Sequence, residues 1–271
     1  MENQGMVALF LIIGLGIGMV AGFMVYPVVN PPTAEPEPTP DLLETIQTRG
    51  YMIVGTSSGW PPFEMVNTTT SELYGFDIDL CDYIAEYMNV TIQWQDMDFD
   101  ALVTACDTGT IDLIAAATFI TPERNDVLTP SVWYLRTNEI VAVKSDSVLN
   151  VTSLADLDGY DVGVQTGTVE ADEVASHNSA GGSIIVHEYP RPDTMFIDLN
   201  SGALDAVYVD EPVLTVYTDI YPLRGEYTVT APPTALYMDQ GNPDFQRAVN
   251  NAIAIAFEEG LIDAWIAKWF G

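Results

Sequence analysis

Positive charge is what this sequence has least of. Its 271 residues include 8 Lys plus Arg against 39 Asp plus Glu, a formal net charge of −31 at pH 7. Lys144 and Lys268 are the only lysines. So few cations argue against nucleic-acid binding, which needs a basic patch to meet phosphates. The acidity keeps a protein soluble and monomeric and is compatible with a salt-adapted proteome. Cysteine is also scarce. Cys81 and Cys106 form no CxxC and have no metal-ligand spacing. They leave two alternatives, a disulfide formed outside the cell or two small buried thiols. The two histidines, His177 and His187, belong to no nucleophile–base pair or metal cluster that the sequence displays. No cofactor or metal is expected, and no internal repeat is visible.

Long apolar runs are confined to the N-terminus. Met6 to Val29 is a 24-residue stretch without a charge, long enough to cross a bilayer as a helix. It exceeds the apolar core of a cleaved signal peptide and lacks a basic flank or A-x-A site, so it reads as a retained anchor over residues 1–29. No Lys or Arg precedes Arg49, so charge bias gives no orientation. No Cys lies near the segment to carry a lipid. Asn30 to Pro40 holds five prolines in eleven residues. It reads as an extended tether (30–40) of roughly 35 Å, holding a globular domain near a membrane.

From Asp41 the pattern is α/β. The 48% hydrophobic content suffices for one two-lobed domain or two small ones. The stretch that organises it runs from Ile111 to Leu128. Ile111 to Ala117 reads as a buried strand. Thr121 can cap a helix, Pro122 suits its first position, and Glu123 and Arg124 fall in its first turn. A helix N-terminus favours an anion, so Arg124 is either aimed at one or is a surface arginine. Around this segment, strands are expected at Tyr51–Thr56, Val90–Gln95 and Glu139–Lys144, and helices at Asp41–Thr48, Phe76–Met88 and Phe99–Cys106. A second run has strands at Tyr160–Gln165, Ser183–Glu188 and Leu204–Val209 and near Tyr227. A TGTVE turn leads into a helix to about Ser176, another helix spans Asp193–Ser201, and one starts at Glu211. Asn242-Pro243 opens a long helix to Glu259, and a final turn carries Trp265 and Trp269. The alternation predicts parallel sheet, and two runs predict two lobes with a ligand between them.

Seven segments then resemble one family in order and spacing: GTSSGWPPFE (Gly55 to Glu64), YGFDIDL (Tyr74 to Leu80), Met97 to Ala116, ITPER (Ile120 to Arg124), GVQTGT (Gly163 to Thr168), SGALDAVYVDE (Ser201 to Glu211) and the closing AWIAKWFG. They are similar to the extracellular solute-binding proteins, family 3, of amino-acid ABC importers, which have the type II periplasmic-binding-protein fold. The resemblance covers about Leu42 to Gly271. It implies lobe 1 over 41–137 plus 231–271, lobe 2 over 138–230, and hinges near Arg136–Ile140 and Thr228–Pro233. It further implies that Arg124 grips the ligand's α-carboxylate, a task suited to a planar guanidinium. Trp60 and Phe99 would pack on the side chain, Asp210 would take the ammonium, and Gly167 and Thr168 would add donors from a helix start. Ser57, Ala117, Thr118, Phe119 and Val169 complete the implied ligand-binding set.

Each has a plainer alternative. Trp60 and Phe99 could be core aromatics; Asp210 could cap the helix at Glu211, and Thr168 its own helix. Asp77, Asp79 and Asp205 read as structural. The chain also departs from the family pattern. Phe119 replaces the usual Ser or Thr, leaving a backbone N–H or Thr118 to substitute. Val169 replaces a polar contact, and Ser57 stands where binders of basic amino acids often carry Asp. These departures imply a more apolar pocket, for an apolar or aromatic amino acid or another small carboxylate.

The implied function is binding, not catalysis: ligand-driven hinge closure, then docking on ABC permease subunits, with the soluble domain outside the cytoplasm and tethered to the membrane. N-x-S/T sites at Asn67, Asn89 and Asn150 permit glycosylation. Two alternatives stand beside it. One is a membrane-tethered sensor reporting to a separate signalling protein, against which no kinase or cytoplasmic domain follows Gly271 and the short head MENQG leaves little to signal with. The other is a cyclohexadienyl-dehydratase-like enzyme, which would need a general acid in the cleft.

Overall fold

The computed structural model describes residues 41–271. The expected anchor (1–29) and tether (30–40) lie outside the described residues. Among the described residues, no helix is long and apolar enough to cross a membrane.

The first half starts with α1 (Leu42–Arg49), capped by Asp41, whose side chain accepts from the Leu43 N–H, and ended by Gly50 at φ 80°. Strand β1 (Tyr51–Thr56) follows, then a short hairpin of β2 (Met65–Val66) and β3 (Leu73–Tyr74). Next come α2 (Phe76–Met88), β4 (Thr91–Asp96), α3 (Phe99–Asp107), β5 (Leu113–Ile114), α4 (Pro122–Val127) and β6 (Leu128–Pro130). The second half comprises β7 (Asn138–Lys144), a 3-10 turn at Leu154–Leu157, β8 (Asp161–Gln165), α5 (Val169–Ser179), β9 (Ile185–Tyr189), α6 (Pro192–Ser201), β10 (Ala206–Asp210), α7 (Glu211–Thr218) and β11 (Leu223–Thr230). The chain then returns through β12 (Tyr237–Asp239), α8 (Pro243–Glu258) and α9 (Leu261–Trp269).

Two five-stranded sheets result, ordered β4-β1-β5-β12-β6 and β11-β7-β10-β8-β9. Each belongs to one lobe. The expectation of parallel sheets needs correction, because both are mixed. β1 runs parallel to β4 and β5, but β12 is antiparallel to β5 and β6. β8 runs parallel to β9 and β10, but β7 is antiparallel to β10 and β11. The antiparallel members are the strands beside the crossings from one sheet to the other, where no crossover helix intervenes to restore direction.

The chain crosses between the sheets twice, at 131–137 and 231–236. The crossing segments are bonded to each other: the Thr234 N–H donates to the Leu135 carbonyl at 2.9 Å and the Tyr134 N–H to the Thr234 carbonyl at 3.0 Å. A main apolar cluster runs through this junction, from Met52, Phe76 and Phe245 to Leu135, Met195 and Val207. Cys81 and Cys106 are both buried free thiols.

Two further expectations are corrected. The strand foreseen at Ile111–Ala117 is paired only at Leu113–Ile114. The Asp112 N–H still donates to the Ile53 carbonyl at 2.8 Å while its side chain takes Arg49 and the Ile53 N–H, and Ala117 sits at φ 49°, which ends the strand. The final turn is a full helix, α9, whose apolar face packs on α2 through Trp265 against Phe76, at 6.3 Å between ring centroids.

Candidate functional site

The site is assembled from the ends of strands. After β1 the chain bends at Ser57–Gly59. The Ser58 N–H and hydroxyl donate to the two carboxylate oxygens of Asp96, at 2.9 and 2.6 Å. Gly59 and Trp60 N–H groups both reach the Glu64 carbonyl, closing a tight loop over Pro61 and Pro62. This loop rests on Gly75, at φ 147°, where an added Cβ would lie 2.1 Å from the Phe63 carbonyl oxygen. The backbone there admits only glycine. Trp60 is thereby turned inward, buried to 6% exposure.

Beyond β5, the left-handed Ala117 is held by its N–H on Asp77 Oδ2, at 2.8 Å. Tyr134 fixes the other oxygen of Asp77 at 2.7 Å. Asp77 is therefore structural, as its sequence context implied, and it shapes the turn that leads to α4. Thr121 caps α4 by accepting from the Arg124 N–H at 3.2 Å. The Arg124 side chain folds back so that Nη1 donates to the Phe119 carbonyl at 2.8 Å, and its Cζ lies 5.4 Å from the centre of the Phe99 ring. Nη2 crosses to the other lobe and donates to the Gly167 carbonyl at 3.2 Å.

The second lobe supplies the turn after β8 and the end of β10. Gly167 takes φ 80°. Thr168 caps α5, accepting from the Ala171 N–H at 3.3 Å and donating to the Gln165 carbonyl at 2.8 Å. Asp210 is the last residue of β10, and its side chain makes no capping bond to α7. Instead its Oδ2 accepts from Trp60 Nε1 of the other lobe at 2.9 Å.

These groups converge on a narrow cavity of about 20 Å³, room for little more than one water, so a ligand needs the lobes to part. Ser57, Trp60, Phe99, Ala117, Phe119, Arg124, Thr168, Val169 and Asp210 all line it. Thr118 and Gly167 do not. The Thr118 hydroxyl turns to the Ala116 carbonyl at 3.3 Å, so it offers no substitute for the hydroxyl missing at Phe119. Gly167 packs against Asp100 of α3 and accepts from Arg124 through its carbonyl. Ala116, Gln165, Glu64 and Glu170 also line the cavity and were not foreseen.

Two unforeseen glutamates stand in the cavity beside its apolar walls. Glu64 ends the tight loop and is bridged back to Trp60, which directs it inward with the tryptophan. Glu170 lies in the first turn of α5 and is 2% exposed. Burial raises the Glu64 carboxyl well above its usual range, and Asp77, Asp210 and Asp96 add to the shift. Burial likewise raises Glu170, reinforced by Asp210 and Glu139. Asp210 is raised by burial first, against the lowering effect of the Trp60 hydrogen bond. Glu64 Oε2, Glu170 Oε1 and Asp210 Oδ1 are buried with no hydrogen-bond partner. Among the described residues no group of three His, Cys, Asp or Glu could hold a metal ion. His177 and His187 pair with Asp158 and Asp161 away from the cavity.

The cavity thus has a guanidinium from one lobe, carboxylates from both, and aromatic walls. The family model for the bacterial extracellular solute-binding proteins, family 3, matches residues 52–271. The chain belongs to this family. Among its relatives, the L-cystine-binding protein TcyJ of Escherichia coli (strain K12) is 27% identical over 234 residues, covering 85% of this chain and 86% of that one. ABC transporter arginine-binding protein 1 of the same strain is 26% identical over 223 residues, covering 80% and 89%. A mutant of ArgBP from T. maritima superimposes with a TM-score of 0.80 at 30% identity, covering 84% of this chain and 98% of that structure. These family members are solute-binding proteins rather than enzymes, and the two-lobed periplasmic-binding-protein fold is common to them and this chain.

Proposed function

We propose that this protein is an extracytoplasmic receptor that closes around an amino acid and delivers it to the membrane subunits of an ABC importer. One observation carries this reading: Arg124 and Asp210 enter the same buried cavity from opposite lobes. Two of the five guanidinium N–H donors are committed to carbonyls. The others remain for a carboxylate, the planar partner that a guanidinium fork fits. Asp210 Oδ1 offers an acceptor for an ammonium. A zwitterion held at both ends is favoured only when both lobes surround it, so ligand binding drives closure. Lobe 1 comprises 41–137 with 231–271 and lobe 2 comprises 138–230. The bonded crossing segments beside Leu135 and Thr234 act as the hinge. Relatives named as cystine-binding and arginine-binding proteins support an amino-acid ligand.

A thermal-shift screen of the twenty amino acids tests this directly. A ligand at 100 times its Kd adds about 2.7 kcal/mol, or roughly 5–10 °C in a domain of this size. No shift from any amino acid would defeat the reading. The charge-free stretch Met6–Val29 and the proline-rich segment behind it support a tether that raises the receptor's local concentration at its permease. Protease added to intact cells should then shave the domain; a domain left untouched would contradict the outward orientation.

A further inference from the structure

Glu139, on β7, has no place among the ligand contacts, yet it is 1% exposed and its Oε1 is buried without a hydrogen-bond partner. Its Oε2 lies 2.9 Å from the Tyr208 hydroxyl, and Glu173 Oε2 lies 2.6 Å from the same hydroxyl. A phenol has one proton to donate. Tyr208 can donate to only one of the two carboxyls, so the other carries a proton of its own and donates to the phenol oxygen. Glu173 is the more solvated of the pair. It is half-buried on α5 and lines an open groove with Glu123, Asp172 and His177. The extra proton therefore resides on Glu139, with Tyr208 donating to Glu173. Burial raises the Glu139 carboxyl to about 7, and Glu173 adds to the shift while the Tyr208 hydrogen bond opposes it. Asp210 stands directly opposite Glu139 in the antiparallel ladder of β10 and β7, where paired side chains share a face about 5 Å apart. Glu170 approaches from α5, and Arg124 of α4 acts on Asp210. On the other edge of β7, β11 places Val229 beside Glu139. Helices α6 and α7 pack on the opposite face of β7, at Ile140 and Ala142.

We infer that Glu139, Tyr208 and Glu173 form a proton-binding site linked to ligand capture, so that an ammonium arriving at Asp210 expels one proton into the groove beside α5. The link rests on the reading above, with the α-ammonium on Asp210. A positive charge one rung away favours the Glu139 carboxylate over its protonated form. Glu139 then passes its proton to the Tyr208 oxygen as Tyr208 passes its own to Glu173. Glu173 releases that proton to water and, being half-exposed, is free to turn into the groove. Tyr208 is left donating to an ionised Glu139, and one proton has left the protein for one ammonium taken in. Capture that releases a proton tightens as pH rises. The gain runs up to about pH 7 and levels off above it, where Glu139 is ionised before the ligand arrives.

Calorimetric titration at about pH 6.5 in two buffers of different ionisation heat, phosphate and Tris, counts the protons released. The probe is whichever of the twenty L-amino acids gives the largest thermal shift. Wild type should release about half a proton or more, equivalent to an affinity gain of about threefold or more per pH unit. Glu139→Gln keeps the shape of the protonated acid and its bond to Tyr208 but has no proton to lose. It should cut the release to under about a fifth of a proton and flatten the pH dependence. The probe's own ionisation is common to both proteins and cancels in the difference. A circular-dichroism melt reports whether the variant folds. If it does not, Glu173→Gln takes its place: its amide donates to the phenol oxygen, Tyr208 donates to an ionised Glu139, and the release should fall as far. Binding to wild type without proton release would overturn the proton site and leave the amino-acid reading standing. So would a release that the variant leaves unchanged, since the proton would then come from Asp210 or elsewhere. If no amino acid bound at all, both readings would fall together.

Discussion

Arg191 bonds across the two halves without lining the cavity, and this makes it the cleanest probe of the proposed closure. It precedes α6 in the second lobe and reaches into the first. Nη1 donates to the Ser58 hydroxyl at 3.0 Å and to Asp96 Oδ1 at 3.1 Å, and Nε lies 3.5 Å from Asp98. It does not line the cavity. In an open form both sides of this clasp would be in water, so its free energy accrues only on closing. Hydrogen bonds to charged groups contribute about 1.5–3 kcal/mol, whereas exposed ion pairs contribute about 0–1 kcal/mol. The Arg191 side chain is 28% exposed and Asp98 is 56% exposed, so the clasp belongs between these limits, at about 1–2 kcal/mol. Arg191→Ala should therefore weaken ligand affinity about 5- to 30-fold. The loss should shrink as salt is raised, because the pairs are partly solvated. Calorimetry at low and high salt measures both effects, and small-angle scattering reports the compaction on ligand addition. Affinity within about twofold of wild type at low salt would refute the idea that this contact belongs to the closed form alone.

Other outcomes follow from particular side chains. Gly75→Ala would drive a Cβ into the Phe63 carbonyl. It should cost several kcal/mol, outside the usual range for surface substitutions, lower the melting temperature accordingly, and weaken ligand binding through the Trp60 loop. Asp77 titrates at about 6 and Glu139 at about 7, both raised chiefly by burial. A carboxyl raised in the folded state contributes stability that is fully present below its unfolded value and is lost as pH rises through the folded one. The ligand-free protein should therefore lose stability between about pH 4 and 7, by roughly 3 kcal/mol for Asp77. Chemical denaturation across that range should show the slope, and Asp77→Asn should flatten its lower half. An equal slope in the variant would argue against the assignment.

Much of the fold was legible because its local signals agree. Pro243 after Asn242 starts α8, Gly50 stops α1, and Thr121-Pro122 opens α4. The strands that were missed, β2, β3, β6 and β12, are two or three residues long and take their identity from partners far away. Tyr237, for instance, pairs with Ile114 and Pro130. No period-2 pattern can develop over so short a span. The antiparallel members escaped for the same reason, since strand direction is set by how the chain crosses between sheets. At the site, Trp60, Phe99, Arg124 and Asp210 were found through motif order. Glu64 ends one of the same motifs and Glu170 stands two residues past another, and both were passed over. Acids are usually exposed, and nothing local shows that a tight loop and a helix start turn these two inward. Their burial is a tertiary fact.

The central claim is that one lobe's guanidinium holds the carboxylate of an amino acid whose ammonium is held by the other lobe. Isothermal titration of Arg124→Ala with the amino acid that most stabilises the wild type tests it most directly. Loss of a buried, charge-assisted bidentate contact should weaken binding by at least about 30-fold, roughly 2 kcal/mol or more. Affinity within about threefold of wild type, with the variant folded, would contradict it.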